Sequence, residues 1–159
     1  MSKRKYLLAI GFWACMFMQA QNLFAQLKTI QFEQLDSLQK TEKRTVVVFI
    51  HTDWCKYCQA MKNTTFKNDS ILNTLNTQFY FIDLNAEEKR NINFNNHTFK
   101  YKPTGTNTGI NELAEHLATV DNKVAYPTLC FLNSRNEIIF HYNQFINSTD
   151  LQIILTRLK

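Results

Sequence analysis

Glycine and proline are nearly absent from this chain: three glycines and two prolines in 159 residues. That scarcity excludes collagen-like repeats and the Gly/Pro-rich composition of disordered linkers. Cysteine and histidine number four each. Apart from one close cysteine pair they stand singly, at Cys15, Cys130, His51, His97, His116 and His141. A structural zinc site asks for two close pairs, or a pair with two closely spaced histidines, so no metal centre is expected. Gln59, not histidine, follows the pair, which excludes c-type haem attachment; no other cofactor is expected. Long apolar runs are missing too. The run Tyr6 to Met18 spans about thirteen residues, whereas a membrane helix needs about 20.

A strong excess of one charge is also lacking once placement is considered. The chain carries 18 basic and 13 acidic side chains, a formal net charge of +5. Three of the basic residues, Lys3, Arg4 and Lys5, precede the Tyr6–Met18 run, and without them the charge is about +2. No nucleic-acid footprint remains, so no nucleic-acid partner is expected.

What is present begins with those residues. The Lys3-Arg4-Lys5 cluster, the apolar run and Ala25 ahead of Gln26 form the three parts of a secretory signal over residues 1–25. Cys15 lies inside the run with Phe12 three residues upstream, unlike a lipoprotein signal. Export to the periplasm is expected, soluble after cleavage and membrane-anchored if the signal stays. The chain is 45% hydrophobic, enough for residues 26–159 to form one domain with a real core. Export leaves Cys55, Cys58 and Cys130. An odd count in an oxidising compartment fits one redox pair and one buried thiol. Cys130, in an apolar run, is expected to act as a small core hydrophobe.

The stretch His51-Thr52-Asp53-Trp54-Cys55-Lys56-Tyr57-Cys58 organises the rest. It follows the run Val46-Val47-Val48-Phe49-Ile50, which reads as a strand covered on both faces, and it opens a helical pattern reaching about Lys67. Free N–H groups and the helix dipole stabilise a thiolate at such a junction. Cys55 is expected at the helix start, exposed and nucleophilic. Cys58, nearly one turn later on the same face, is placed to resolve a mixed disulfide on Cys55. A purely structural disulfide is the alternative reading.

Asp53-Trp54-Cys55-Lys56-Tyr57-Cys58 resembles the W-C-x-x-C signature of the thioredoxin superfamily. Its flanks are similar to secreted thioredoxin-like proteins and to the thioredoxin-like domain of bacterial thiol:disulfide interchange proteins. Tyr126-Pro127-Thr128 resembles a second family element, a cis-proline facing the dithiol. The resemblance implies a thioredoxin fold of the α/β class, a central mixed sheet flanked by helices. It also implies that Trp54, Tyr126 and Pro127 contact substrate. Lys56, Tyr57 and Asp53 would tune the redox poise. One departure stands out: thioredoxins carry a buried acid six residues before the first cysteine, and here that position is Phe49. Proton transfer would then use Asp53, another acid or histidine, or water. His51 is a candidate for tuning Cys55, with a purely structural role as its alternative.

Residues 28–42, with Ile30, Phe32, Leu35 and Leu38, suggest a first helix. Asp69-Ser70 suggests a cap for a short helix through Leu75, and Phe79–Leu84 a strand parallel to the first. Some 43 residues then separate Asp83 from Pro127, implying an insertion of about 30 residues at about 86–122. Its aromatic and basic residues either line a partner groove or pack upon themselves. Within it 110–118 reads as a helix capped by Asn111 or Thr108. Beyond Pro127 come a strand at 128–132, a turn at 133–136 and an antiparallel edge strand at 137–142. A last helix, Leu151–Leu158, is expected to be capped by Ser148-Thr149-Asp150.

The function expected is an exported thiol:disulfide oxidoreductase that reduces or isomerises disulfide-containing proteins, as a monomer. A reducing role implies a membrane thiol donor. The alternative is a non-enzymatic binding or Cu(I)-handling module. A thiol peroxidase fits less well, since its reactive cysteine usually lacks a partner at this spacing.

Overall fold

The β-branched run Val46–Ile50 lies at the centre of the molecule. The computed structural model describes residues 26–159, so the expected secretory signal lies outside the described residues. The run belongs to strand β1 (Thr45–His51), which is followed by helices α2 (Lys56–Asn63) and α3 (Asp69–Gln78) and strand β2 (Phe79–Asn85); helix α1 (Leu35–Thr41) precedes it. Three two-stranded hairpins come next: β3–β4 (Ile92–Phe94 and His97–Phe99), β5–β6 (Tyr101–Pro103 and Gly109–Asn111) and β7–β8 (Thr119–Val120 and Lys123–Val124). Helix α4 (Glu112–Ala118) separates the last two, and β9 (Thr128–Leu132), β10 (Ile138–Tyr142) and α5 (Ser148–Arg157) complete the chain.

The main sheet has the order β10-β9-β1-β2. β1 runs parallel to β2 and antiparallel to β9, and β9 runs antiparallel to β10. Alternation divides the core into two faces. Val46, Val48, Ile50, Ile82, Leu84, Cys130 and Leu132 face α1, α4 and the β3 segment. Val47, Phe49, Phe79, Phe81, Leu129 and Phe131 face α2, α3 and α5. The mixed sheet between helices is the α/β architecture expected from the sequence. Cys130 is fully buried and free, and burial pushes its thiol up to about 12, so it packs as a small hydrophobe.

The helix ends differ from their sequence reading. The first helix is shorter than 28–42: a 3₁₀ turn at Phe32–Gln34 precedes α1. Ile30 packs from an extended segment whose N–H donates to the Phe81 carbonyl at 2.9 Å. Helix α2 stops at Asn63 rather than Lys67. Thr64 leaves helical geometry, and the Thr65 hydroxyl donates instead to the Ile146 carbonyl at 2.7 Å. Asn68 caps α3, accepting from the Ser70 and Ile71 N–H groups, and α3 runs past Leu75 to Gln78. Asn147 caps α5, accepting from the Asp150 N–H. In both stretches the cap is the asparagine one residue before the polar residues read as caps, and the helices begin at Asp69 and Ser148. The asparagine amide oxygen then reaches the free N–H groups two or three residues on.

The scarcity of glycine is met by asparagine and aspartate. Asn95-Asn96 and Asp121-Asn122 hold positive φ at the β3–β4 and β7–β8 turns, and Asn136 does so before β10. Short amide and carboxylate side chains tolerate the left-handed region better than other residues.

Part of the insertion joins the core. Ile92, Phe94, Leu113, Ala114, Leu117 and Ala118 are buried against the first sheet face, and the Phe94 ring lies 4.9 Å from that of Phe32. Asn111 is the cap of α4, as read from the sequence. It is completely buried: Oδ1 accepts from the Leu113 N–H, and Nδ2 donates to the Glu88 and Arg90 carbonyls. Asn111→Ala would orphan all three groups. It is expected to cost about 2 kcal/mol or more, read as a lower urea midpoint at unchanged slope.

Candidate active site

Strand β1 ends at His51, and Thr52 to Trp54 turn the chain into α2. Cys55 is the N-cap: its backbone is extended, and its Sγ accepts the Cys58 N–H at 3.1 Å. The Cys55 N–H donates to the Thr52 carbonyl at 3.3 Å, and its own carbonyl takes the first helical bond, from Gln59. Cys55 and Cys58 form a disulfide, with Cα atoms 5.2 Å apart. The spacing thus puts both sulfurs at the mouth of the helix, where N–H groups stabilise a thiolate. Cys55 is not exposed as expected. It is 6% exposed and Cys58 0%, because both join the second-face core, against which Tyr126 also packs.

Other sequence-selected residues surround the pair unevenly. The Tyr126–Pro127 bond is cis, as the family pattern implied, and Pro127 is buried. Trp54 is 68% exposed; its ring meets Tyr126 edge-on at 6.2 Å, and its Nε1 donates to Glu87 Oε1 at 3.2 Å. Burial pushes the Tyr126 hydroxyl up to about 12, and the charges of Glu87 and Glu115 act in the same direction. It therefore stays protonated at neutral pH. Tyr57 is exposed and lies 6.4 Å from Phe145, also exposed. These rings line the surface beside the disulfide. The Asp53 and Lys56 side chains are exposed, and neither forms an ion pair among the described residues. The structure supplies no contact for their tuning role.

Sequence reasoning missed Asp83 and Lys62. His51 Nε2 lies 2.8 Å from Asp83 Oδ1, and Lys62 Nζ lies 3.0 Å from both His51 Nε2 and Asp83 Oδ2. Asp83 is the register partner of Phe49 across β1 and β2. A carboxylate therefore stands one strand away from the position where the family acid was sought. Its visible signal was a lone charge inside the apolar strand Phe79-Tyr80-Phe81-Ile82-Asp83-Leu84. Burial alone would raise the Asp83 carboxyl, but the hydrogen bonds and charges of His51 and Lys62 outweigh it and hold the group below its ordinary value of 3.8. A carboxyl lowered on folding stabilises the fold above its unfolded pKa, and that stabilisation fades as pH falls through the folded value. The stability gap between wild type and Asp83→Asn should be full at neutral pH and shrink below about pH 4, as urea unfolding at stepped pH would show.

Among curated proteins no relative matches this sequence significantly. Solved structures do resemble it in fold. DsbH oxidoreductase is 13% identical with a TM-score of 0.60, over 89% of this chain and 92% of its own. A thioredoxin from Thermus thermophilus is 17% identical with a TM-score of 0.58, over 83% and 86%. The DsbD C-terminal domain of Neisseria meningitidis, in its reduced form, is 14% identical with a TM-score of 0.53, over 80% and 92%. The family model described as a thioredoxin-like domain matches residues 31–159. With that match over most of its length, the chain belongs to the thioredoxin-like family.

Proposed function

We propose that this protein is an exported thiol:disulfide oxidoreductase that reduces or isomerises protein disulfides through Cys55 and Cys58. One observation carries the reading: the Cys55–Cys58 disulfide sits at the mouth of α2, with the Cys58 N–H donated to Cys55 Sγ. When the pair is reduced, that N–H and the helix dipole favour the Cys55 thiolate. The thiolate attacks a substrate disulfide and one substrate sulfur leaves. Cys58 then attacks Cys55 Sγ, the intramolecular disulfide forms, and the second substrate sulfur departs as thiolate. Two electrons pass from the dithiol to the substrate. A membrane thiol donor in the exporting cell would return them, and the protein would act as a monomer. Trp54, Tyr126, Tyr57 and Phe145 supply an aromatic rim on which an extended polypeptide docks next to the buried Pro127. Tyr126 offers its backbone groups beside a proline that has no N–H.

The test is insulin reduction by residues 26–159 with dithiothreitol as the electron source. Turnover well above the dithiothreitol background is expected. Its absence would contradict the reading.

A further inference from the structure

Exchange through the dithiol leaves one polar cluster without a role, a buried histidine held by two partly exposed charges. The His51 side chain is 5% exposed, and its Nδ1 has no hydrogen-bond partner among the described residues. The adjacent Thr52 hydroxyl is likewise buried without a partner. Orphaned buried polar atoms are costly unless something uses them. Here two occur on consecutive residues, just ahead of the disulfide.

We propose that His51, held by Asp83 and Lys62, is the proton-transfer residue for the buried Cys58 thiol during disulfide exchange. The inference rests on the exchange reading given above. The ring stacks on Phe49 at 5.3 Å, and Phe49 belongs to the same core cluster as Cys58. His51 therefore lies on the sheet face that carries the dithiol. Lys62 follows Cys58 by four residues on α2, so the two share one side of the helix. Lys62 also lies within 5.8 Å of the Phe49 ring centroid. Asp83 approaches from β2 and Lys62 from α2, and both meet the same ring nitrogen, Nε2. In the tautomer whose Nε2–H donates to Asp83 Oδ1, with Lys62 donating to Oδ2, Nδ1 carries the free lone pair and is the ring's proton acceptor.

The chemistry requires such a group. Cys58 is fully buried, and desolvation disfavours a thiolate there. In the resolving step the Cys58 S–H bond breaks and its proton passes to Nδ1 through one water. The freed sulfur attacks Cys55 Sγ, and the Cys55–substrate S–S bond breaks as the new one forms. The substrate thiolate departs with the electron pair and takes a proton from solvent. The proton on His51 leaves along Nε2 and Asp83. Asp83 and Lys62 line an open cleft of about 350 Å³ with Phe49 and Phe81, which links the cluster to bulk water.

The experiment isolates that step. Reduced protein is mixed with oxidised glutathione, and decay of the Cys55–glutathione mixed disulfide is followed by rapid acid quench and mass spectrometry across pH 5–9. His51→Phe keeps the stacking area and removes the base. It is expected to slow resolution at pH 7 by about a hundredfold. Its rate should then climb steeply with pH, because hydroxide must replace the imidazole, while the wild-type profile stays flatter. Asp83→Asn keeps an acceptor for Nε2–H but removes the charge. It is expected to give a smaller loss in the same direction, and it carries the test should His51→Phe fail to fold. Identical pH–rate profiles for wild type and the folded variants would overturn the proposal while leaving exchange intact. If the wild-type protein formed no mixed disulfide, the exchange reading and this inference would fall together.

Discussion

Cys55→Ser is expected to reduce insulin turnover to the uncatalysed background, a loss on the order of a thousandfold or more. Cys58→Ser is expected to accumulate mixed disulfides on Cys55, visible as adducts on non-reducing gels that collapse with dithiothreitol. The asymmetry follows from where the sulfurs sit. Cys55 Sγ receives the Cys58 N–H and caps the helix, so its thiolate is the stabilised one, whereas Cys58 is wholly enclosed. A serine hydroxyl at 55 forms no disulfide, so the first step is lost. A serine at 58 leaves the first step intact and removes only the release. If both variants lost activity without any adduct, the assignment of attacking and resolving roles would be wrong.

The second large effect is on stability. Phe49→Ala should cost about 3 to 5 kcal/mol, a large share of the roughly 5 to 15 kcal/mol that holds such a domain together. Phe49 is fully buried at the centre of β1. Its ring meets Phe66 edge-on at 4.9 Å and stacks on His51. Truncation leaves a cavity among residues fixed by two neighbouring strands, which cannot collapse to fill it. Urea unfolding should show a much lower midpoint with the slope unchanged. Phe49→Leu should cost less. Phe49→Asp, which restores the acid of the family pattern, should be worse than either. Its register partner is Asp83, so a fully buried carboxylate would be placed beside another.

That pairing shows how far the sequence could be read. The cysteine spacing, the β-branched run and the Tyr-Pro-Thr element each announce themselves within a few residues, so the dithiol, the central strands and the cis-proline were legible. The missing acid was legible too, as Phe49. The carboxylate beside that position was not, because Asp83 becomes its neighbour only through the parallel register of β1 and β2, a contact 34 positions away in the chain. The burial of Cys55 was misread for a similar reason. Helix position alone suggests exposure, and it takes a core cluster assembled from distant strands and α5 to bury the sulfur. The insertion was ambiguous because its apolar residues are thinly spread among asparagines, threonines and lysines. Only the fold shows that Ile92, Phe94, Leu113 and Leu117 land on one sheet face. Cap positions slipped by one residue because Asn68-Asp69-Ser70 and Asn147-Ser148-Thr149 offer several good caps in succession.

The most direct test of the central claim is the redox equilibrium of Cys55–Cys58 in residues 26–159. The protein would be equilibrated in graded reduced and oxidised glutathione, then alkylated and weighed by mass spectrometry. A single reversible two-electron transition is expected, reached from either direction, with Cys130 a bystander. A pair that stayed oxidised across the whole glutathione range and exchanged with no thiol would be a structural staple and not an exchange site.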